Sequence, residues 1–487
     1  IRADASRSIK MKELCAGTYN KKHRDVKIMQ FGEGNFLRAF VDWILQDLND
    51  KGAINAGVAV VQPMPVGRVD ALKEQDGLYT VCLEGIDKGK EVKSRQIIDV
   101  LEDFINPYTQ YGKFLEYAHS EKLETIISNT TEAGIAFVKE DTDFSKCPIS
   151  FPGKLLAFLE ERYNYFKGDP TKGLAIVPCE LIDDNGDELK KVLNQLAEEK
   201  KMSAEFKDWM NNANGFTSTL VDRIVPGYPR ENIQQIWEET GYKDNNVVKG
   251  EVFHLWVLKE DEKVHRLLPA DKTGLNVIFA PSIKAYKERK VKILNGAHTA
   301  MVPVAYLCGL DTVRESMEDG EVGKYVHNLI FNTIKPTIAL PEDQMTAFAG
   351  SVVERFRNPF IRHELMSIAL NATTKFRTRL LQTFSDYIDK FGKIPTDILF
   401  SFAALTVFYK GKRGDENIAL NDNPEYIEEW KTVWEGKDYR EVAKRALGFK
   451  AIWSGTKVPD GAEELLAGYI EDIEKTGMRE ALGKYLG

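Results

Sequence analysis

The sequence predicts an α/β amino-terminal half, with a mostly parallel sheet, and a mainly α-helical carboxyl-terminal half. Three observations carry this reading. Short apolar runs alternate with amphipathic segments through the first 281 residues, and buried strands separated by helices imply a parallel sheet covered on both faces. From about residue 282 the apolar spacing is helical nearly throughout. The length, 487 residues, is more than one ordinary core organises. The predicted domains are residues 1–285 and 286–487.

The first half reads in order. "VKIMQF" (26–31) is a strand ending in glycine, and "NFLRAFVDWILQDLN" (35–49) has helical periodicity. "GVAVVQPM" (57–64) is a second, valine-rich strand. "LYTVCLEGI" (78–86) and "EVKSRQIIDVL" (91–101), joined by the polar "DKGK", read as a hairpin inserted in the sheet. "LETIISNTTEAGI" (123–135) is a strand followed by a polar turn. "FPGKLLAFLEERYNYF" (151–166) is an amphipathic helix with Pro152 near its start, where proline is tolerated. "GLAIVPCEL" (173–181) and "GDELKKVLNQLAEE" (186–199) are a further strand and helix. "EVFHLWVL" (251–258) and "NVIFAP" (276–281) read as a late strand pair. In the helical half, Trp430, Trp434 and Trp453 are expected to pack the core.

Bulk composition narrows the function classes. Hydrophobic residues make up 43% and charged residues 29%, which is a soluble globular balance. A net charge of −8 with both signs interspersed argues against a general nucleic-acid binder. Five scattered cysteines without a C-x-x-C pair suit a reduced, cytoplasmic protein, and no apolar run is long enough to span a bilayer. The histidines show no H-x-x-H or H-E-x-x-H spacing, so no metal site is expected. A small-molecule substrate is expected, with no nucleic-acid or membrane partner. Composition leaves monomer and small homo-oligomer both open.

"QFGEGNFLRAF" (30–40) lies between the first strand and the helix after it. Gly32 and Gly34 fit the first two glycines of a dinucleotide fingerprint, for the tight turn and for close approach of a pyrophosphate. Asn35 and Phe36 open the helix, whose free N–H groups favour phosphate. The third glycine is absent, with Leu37 in its place, so an ordinary strand–helix turn fits the spacing as well. The second strand ends in Gln62-Pro63-Met64. Gln62 is the candidate ribose contact, and without a carboxylate there the choice between NAD and NADP stays open. Glu132 follows "SNTT" at a strand's carboxyl end, where ligands gather, although a helix-start role beside Thr130 or Thr131 explains it equally.

"KVKILNGAHTA" (290–300) places three polar groups in an apolar helix. On an ideal helix Lys290 and His298 are about 80° apart and Asn295 about 60° further, an arc of about 140°. The set suits an alcohol/carbonyl redox step. A desolvated lysine exchanges the alcohol proton. An amide N–H of Asn295 steadies the developing alkoxide, and His298 binds a neighbouring hydroxyl. Against this, "KERKVK" also reads as a solvated helix face, and Asn295-Gly296 as a kink or break. Lys375, Arg377 and Arg379 form a basic cluster, either gripping a carboxylate or facing water.

Taken together, "FGEGNFLRAF", "DGLYTV" (76–81), "FPGKLLAFLEERY" (151–163), "STLVDRIVP" (218–226), "KVKILNGAH" (290–298) and "RFRNPFIRHEL" (355–365) resemble the long-chain polyol and sugar-acid dehydrogenases typified by mannitol 2-dehydrogenase. The stretches follow that family's order over most of the chain, and K-x4-N-x2-H is the most specific. The resemblance implies a Rossmann-type first domain, a helical second domain, hydride transfer with a nicotinamide, and no metal. It implies Lys290 as catalytic acid/base, Asn295 at the oxyanion and His298 on the substrate. It places Asp222 beside the active site, though a structural cap or a pair with Arg223 fits too. It implies Lys375 as a basic substrate contact, with Arg377 beside it. Gly32, Gly34, Asn35 and Phe36 form the cofactor loop.

Two departures matter. The family's Cys-Asp-Asn stretch is here Cys179-Glu180-Leu181, so a second oxyanion amide is missing. Lys287 stands where relatives often carry an acid; it is either solvated or an added positive charge near the pocket. "VPCELIDDNGDEL" (177–189) is similar to the branch acting on the keto-hexuronate tagaturonate and its alcohol altronate, with NAD as cofactor. Mannonate, mannitol or other polyol oxidation is the alternative within the family. A non-catalytic NAD-binding sensor or scaffold is the alternative outside it.

Overall fold

The computed structural model describes residues 11–131 and 133–487. The chain divides into two compact units. One comprises residues up to Glu84 together with Glu91–Ile283, and the other Gly85–Lys90 with Lys284–Gly487.

The first unit is organised by six strands: β1 (Val26–Phe31), β2 (Gly57–Val61), β3 (Leu101–Ile105), β4 (Thr125–Ser128), β5 (Ala175–Pro178) and β6 (Gly215–Phe216). They pair in parallel in the order β3-β2-β1-β4-β5-β6. This is the strand order of dinucleotide-binding folds, with its reversal between β1 and β4. Alternation along each strand sends side chains to opposite faces. Ile28, Val58 and Val60 enter one core. Met29, Phe31, Ala59 and Val61 enter the other. The Val, Ile, Met and Phe side chains among these each contribute about 1.5–3 kcal/mol by burial, and the Ala59 methyl less.

Three expectations change. The hairpin is not inserted in the main sheet. Its strands Tyr79–Asp87 and Lys90–Ile98 form a separate three-stranded sheet with Val248–Glu251. Its turn residues Lys88 and Gly89 both have positive φ, the geometry that closes two-residue hairpins. The edge strand β3, "LEDFI", was concealed by its acids, of which Asp103 pairs with Lys113. The segment after the glycine loop is two helices, Asn35–Ala39 and Val41–Asp50, divided at Phe40. The late strands Leu255–Lys259 and Val277–Ala280 do pair, in parallel, with Thr219–Asp222 antiparallel on the other side.

The second unit is helical. Thr396–Phe408, apolar on every side, is buried along nearly its whole length. Trp430 and Trp453 are buried, and Trp453 contacts Phe376, Phe384 and Phe402. Trp434 instead anchors by its indole N–H to the carbonyl of Thr406.

Candidate active site

At the carboxyl ends of β1 and β4 the glycine loop meets the next loop. Gly32 has φ +128°, and a Cβ there would stand 2.9 Å from the Asn129 carbonyl oxygen and 2.9 Å from Leu37. Only glycine permits that crossing. Gly34 begins the Asn35–Ala39 helix with φ −69°, and a Cβ on it would meet nothing within 4 Å. Open space above a loop of free N–H groups is what a pyrophosphate needs.

Arg38, which the sequence reading missed, holds this loop. Its buried guanidinium donates to the carbonyls of Glu33 (3.1 Å) and Asn246 (2.7 Å) and to Asn35 Oδ1 (2.8 Å). Asn35 thus orients the loop through Arg38. Phe36 stacks on Phe40, with centroids 4.9 Å apart.

Gln62 lies at the end of β2, but its amide N–H groups already serve the carbonyls of Met64 (2.8 Å) and Pro65 (3.2 Å). Glu33, also missed, lies beside it and accepts from the Arg68 N–H (3.1 Å). Both side chains crowd the place where a Cβ on Gly67 would stand. A carboxylate therefore does stand at the end of the second strand, contributed by the glycine loop. Burial raises its pKa. Glu132 lies outside the described residues.

Glu180 is buried and braces the β4–β5 edge. Its carboxylate accepts from Ser128 Oγ (3.1 Å), the Thr130 N–H (3.1 Å) and Thr130 Oγ1 (3.0 Å). Leu181 is 60% exposed and offers no amide. Asn185 is no substitute, because its Nδ2 serves the carbonyls of Pro178, Glu180 and Thr219. Asp222 is buried at the end of its strand. The Arg223 guanidinium donates to the carbonyls of Ala39, Val252 and Phe253 and lies over Trp43.

In the second unit the lysine segment is one continuous helical run. Lys284–Arg289 is α-helical, Lys290–Asn295 is a π turn, and Gly296–Leu307 resumes the α-helix. Asn295-Gly296 is thus not a break between two helices. The π turn also corrects the angular expectation. With i→i+5 bonding, Asn295 lies a little more than one turn beyond Lys290, closer to its face than the separation of about 140° in an α-helix. Such turns are frequent at functional sites. Lys290 and Asn295 are half-buried, and Asn295 makes no side-chain hydrogen bond among the described residues. Lys292, two residues on, has a structural role, held by Glu288 (2.7 Å) and Asp386 (2.6 Å).

His298 is buried, its ring stacked on Phe356 (4.1 Å) and edge-on to His363 (5.1 Å). Burial, reinforced by the charges of His363, Arg355, Arg379 and Lys375, holds its pKa well below the ordinary value, so the ring is neutral at pH 7. Its Nε2 is buried without a hydrogen-bond partner. Buried polar atoms are rarely left so.

Lys375 and Arg379 lie on the helix Ala372–Phe391 and are both half-buried. Arg377 is not brought to them. It is exposed, and its guanidinium reaches the carbonyls of Lys450 (3.4 Å) and Ala451 (3.2 Å). Two residues along a helix is just over half a turn, so residue 377 faces away from 375 and 379. His363 joins the cluster from the "RFRNPFIRHEL" loop, with no spacing signal to mark it. Among the described residues no group of three or more His, Cys, Asp or Glu could hold a metal ion.

The strand order and glycine loop define a dinucleotide-binding fold of Rossmann type, joined in one chain to a helical unit carrying a lysine–asparagine–histidine set. Residues 26–271 match the mannitol dehydrogenase Rossmann domain and residues 282–469 the mannitol dehydrogenase C-terminal domain. The chain belongs to the mannitol dehydrogenase family. Altronate oxidoreductase of Bacteroides thetaiotaomicron is 44% identical over 480 residues, covering 97% of this chain and 99% of its own. Altronate oxidoreductase of Phocaeicola vulgatus is 43% identical over 476 residues, with the same coverages. A substrate-free D-sorbitol dehydrogenase structure matches with a TM-score of 0.82 at 21% identity, covering 94% of this chain and 95% of that one, and shares the fold.

Proposed function

We propose that this protein is an NAD-dependent oxidoreductase that interconverts D-tagaturonate and D-altronate. The reading is supported by the π turn over Lys290–Asn295, whose i→i+5 bonding favours a shared face for its two end residues, and by the buried, unpartnered Nε2 of neutral His298 in the helix that follows. The relatives at 43–44% identity over nearly the whole chain carry the choice of substrate.

In this reading the first unit binds the dinucleotide and the second handles the sugar acid. Gly32, Gly34 and the loop braced by Arg38 hold the pyrophosphate. Gln62 and Glu33 lie where a ribose binds, and Glu33 disfavours a 2′-phosphate. When bound, the cofactor supplies or accepts the hydride. Lys290 gives a proton to the carbonyl oxygen during reduction and removes it from the alcohol during oxidation. Asn295 Nδ2 donates to the same oxygen as it gains negative charge. His298 Nε2 pairs with a neighbouring hydroxyl. A cytoplasmic location is part of the proposal and is supported by five free cysteines; monomer and small homo-oligomer both remain compatible with it.

The test is a panel of tagaturonate, fructuronate and fructose, each assayed with NADH and with NADPH by absorbance. Fastest turnover of tagaturonate with NADH is expected. Preference for fructuronate or fructose points to the mannonate or mannitol alternative. NADH binding without oxidation by any keto sugar points to a sensor or scaffold.

A further inference from the structure

We propose that Arg379 takes the carboxylate of the substrate, with Lys375 as a second cation one helical turn away; the inference rests on the keto-hexuronate reading above. Residues four apart on a helix share a face. On Ala372–Phe391 that face carries Lys375 and Arg379 and leaves Arg377 on the other side. The face lies against the lysine helix. A Cβ on Gly296 would stand 3.1 Å from the Arg379 carbonyl oxygen. The Arg379 guanidinium reaches Thr299, the residue after His298.

Neither cation has a carboxylate partner among the described residues. Lys375 Nζ donates to one carbonyl, that of Ile368 (2.7 Å). The single hydrogen bond of Arg379 is to Thr299 Oγ1 at 3.4 Å, near the limit of a useful contact. Arg379 also lines an open cavity of about 550 Å³ with Glu288 and Asp386, but Lys292 already engages both acids. Burial lowers the pKa of both Lys375 and Arg379; Arg379 adds to the effect on Lys375, and the Asp422 carboxylate, which is not in contact, offsets only part of it. Two partly buried like charges with no carboxylate in contact are costly unless a ligand completes them.

An uncharged polyol would leave this field uncompensated. A hexuronate brings one carboxylate to it, at the far end of the carbon chain from the reacting carbonyl. The planar guanidinium matches a carboxylate in bidentate fashion, and the Lys375 ammonium adds a point charge. The neutral His298 is left to a hydroxyl, since its imidazole adds no charge beside the two cations.

The test compares wild type, Arg379→Lys and Arg379→Ala on tagaturonate and on tagatose, the same ketose with a hydroxymethyl group in place of the carboxylate. For Arg379→Ala, KM for tagaturonate is expected to rise about 100-fold with kcat nearly unchanged, as for loss of a charge-assisted hydrogen-bond pair. Arg379→Lys should recover part of the loss, and the weak turnover of tagatose should move by less than about threefold. NADH affinity, which depends on the first unit, is the check on folding. If the alanine variant does not fold, Arg379→Gln keeps a donor for Thr299 and carries the same comparison. An equal loss on both sugars, or an unchanged KM for tagaturonate, overturns the carboxylate role. A wild-type enzyme that reduces tagatose but not tagaturonate overturns the keto-hexuronate reading itself, and the inference with it.

Discussion

The carbonyl oxygen of Arg379 lies 3.1 Å from where a Cβ on Gly296 would stand, so the helix Ala372–Phe391 rests directly on the junction between the π turn and the following α-helix. The close approach meets backbone, which has less freedom to yield than a side chain. Gly296→Ala is expected to cost about 1–3 kcal/mol of stability through overpacking. Because the shift falls between Asn295 and Arg379, kcat/KM for the keto acid should fall as well. Urea unfolding and steady-state kinetics on the same preparation check both. A fully active, equally stable variant would show that the junction tolerates separation.

Lys290→Ala is expected to lower turnover by about 10²–10⁴-fold, the range for loss of a general acid/base. The dinucleotide loop belongs to the other unit, so NADH affinity should be unchanged. Quenching of tryptophan fluorescence by NADH, set beside kcat, separates the two. Unchanged turnover would remove Lys290 from the mechanism.

The two loop glycines should fail in different ways. Gly32→Ala meets backbone and Leu37 at 2.9 Å with φ +128°, so loss of folding stability is expected. Gly34→Val has ordinary φ and open space, so the protein should fold normally yet lose NADH affinity, the side chain occupying the pyrophosphate's place. Thermal melts with and without NADH test this. Wild-type NADH affinity in Gly34→Val would remove the loop as the cofactor site.

Two buried groups pull stability in opposite directions with pH. Burial holds His254 at a pKa of about 4, and its Nε2 accepts a hydrogen bond from the Asn276 N–H (2.9 Å). The unfolded chain binds this proton below about pH 6.5 and the folded chain does not, so this contribution falls as pH drops from about 6.5 towards 4. Asp42, fully buried, is pushed up to about 7. Its Oδ1 is buried without a hydrogen-bond donor, which disfavours the charged carboxylate. Here the folded state holds the extra proton, so this contribution falls as pH rises from about 4 towards 7. His254→Gln should flatten the acid-side loss of unfolding free energy, and Asp42→Asn the loss on approach to neutrality. A slope unchanged from wild type in either variant would clear that residue.

The legibility of the protein follows the range of the forces involved. Strand and helix order was readable because burial imposes local periods of 2.0 and 3.6 residues on the sequence. For the same reason β3 was missed, its alternation hidden by edge acids, and the hairpin's sheet was misassigned, since pairing partners leave no local trace. Gly32 and Gly34 were legible from backbone demands alone. Arg38, Glu33 and Glu180 were not, because each braces groups brought near only by folding.

By itself the sequence determined the order of elements, the turn after the first strand, and the presence of lysine, asparagine and histidine in one helical segment. These depend on side-chain type and spacing along a single stretch of chain. Only the tertiary structure decided that the segment winds as a π turn, that the face of Lys375 and Arg379 turns to the lysine helix, and that His298 is neutral with an unpartnered nitrogen. Those outcomes depend on packing and unshared charge among residues separated by up to eighty positions, and no local pattern encodes which of several buried cations is left without a counter-ion.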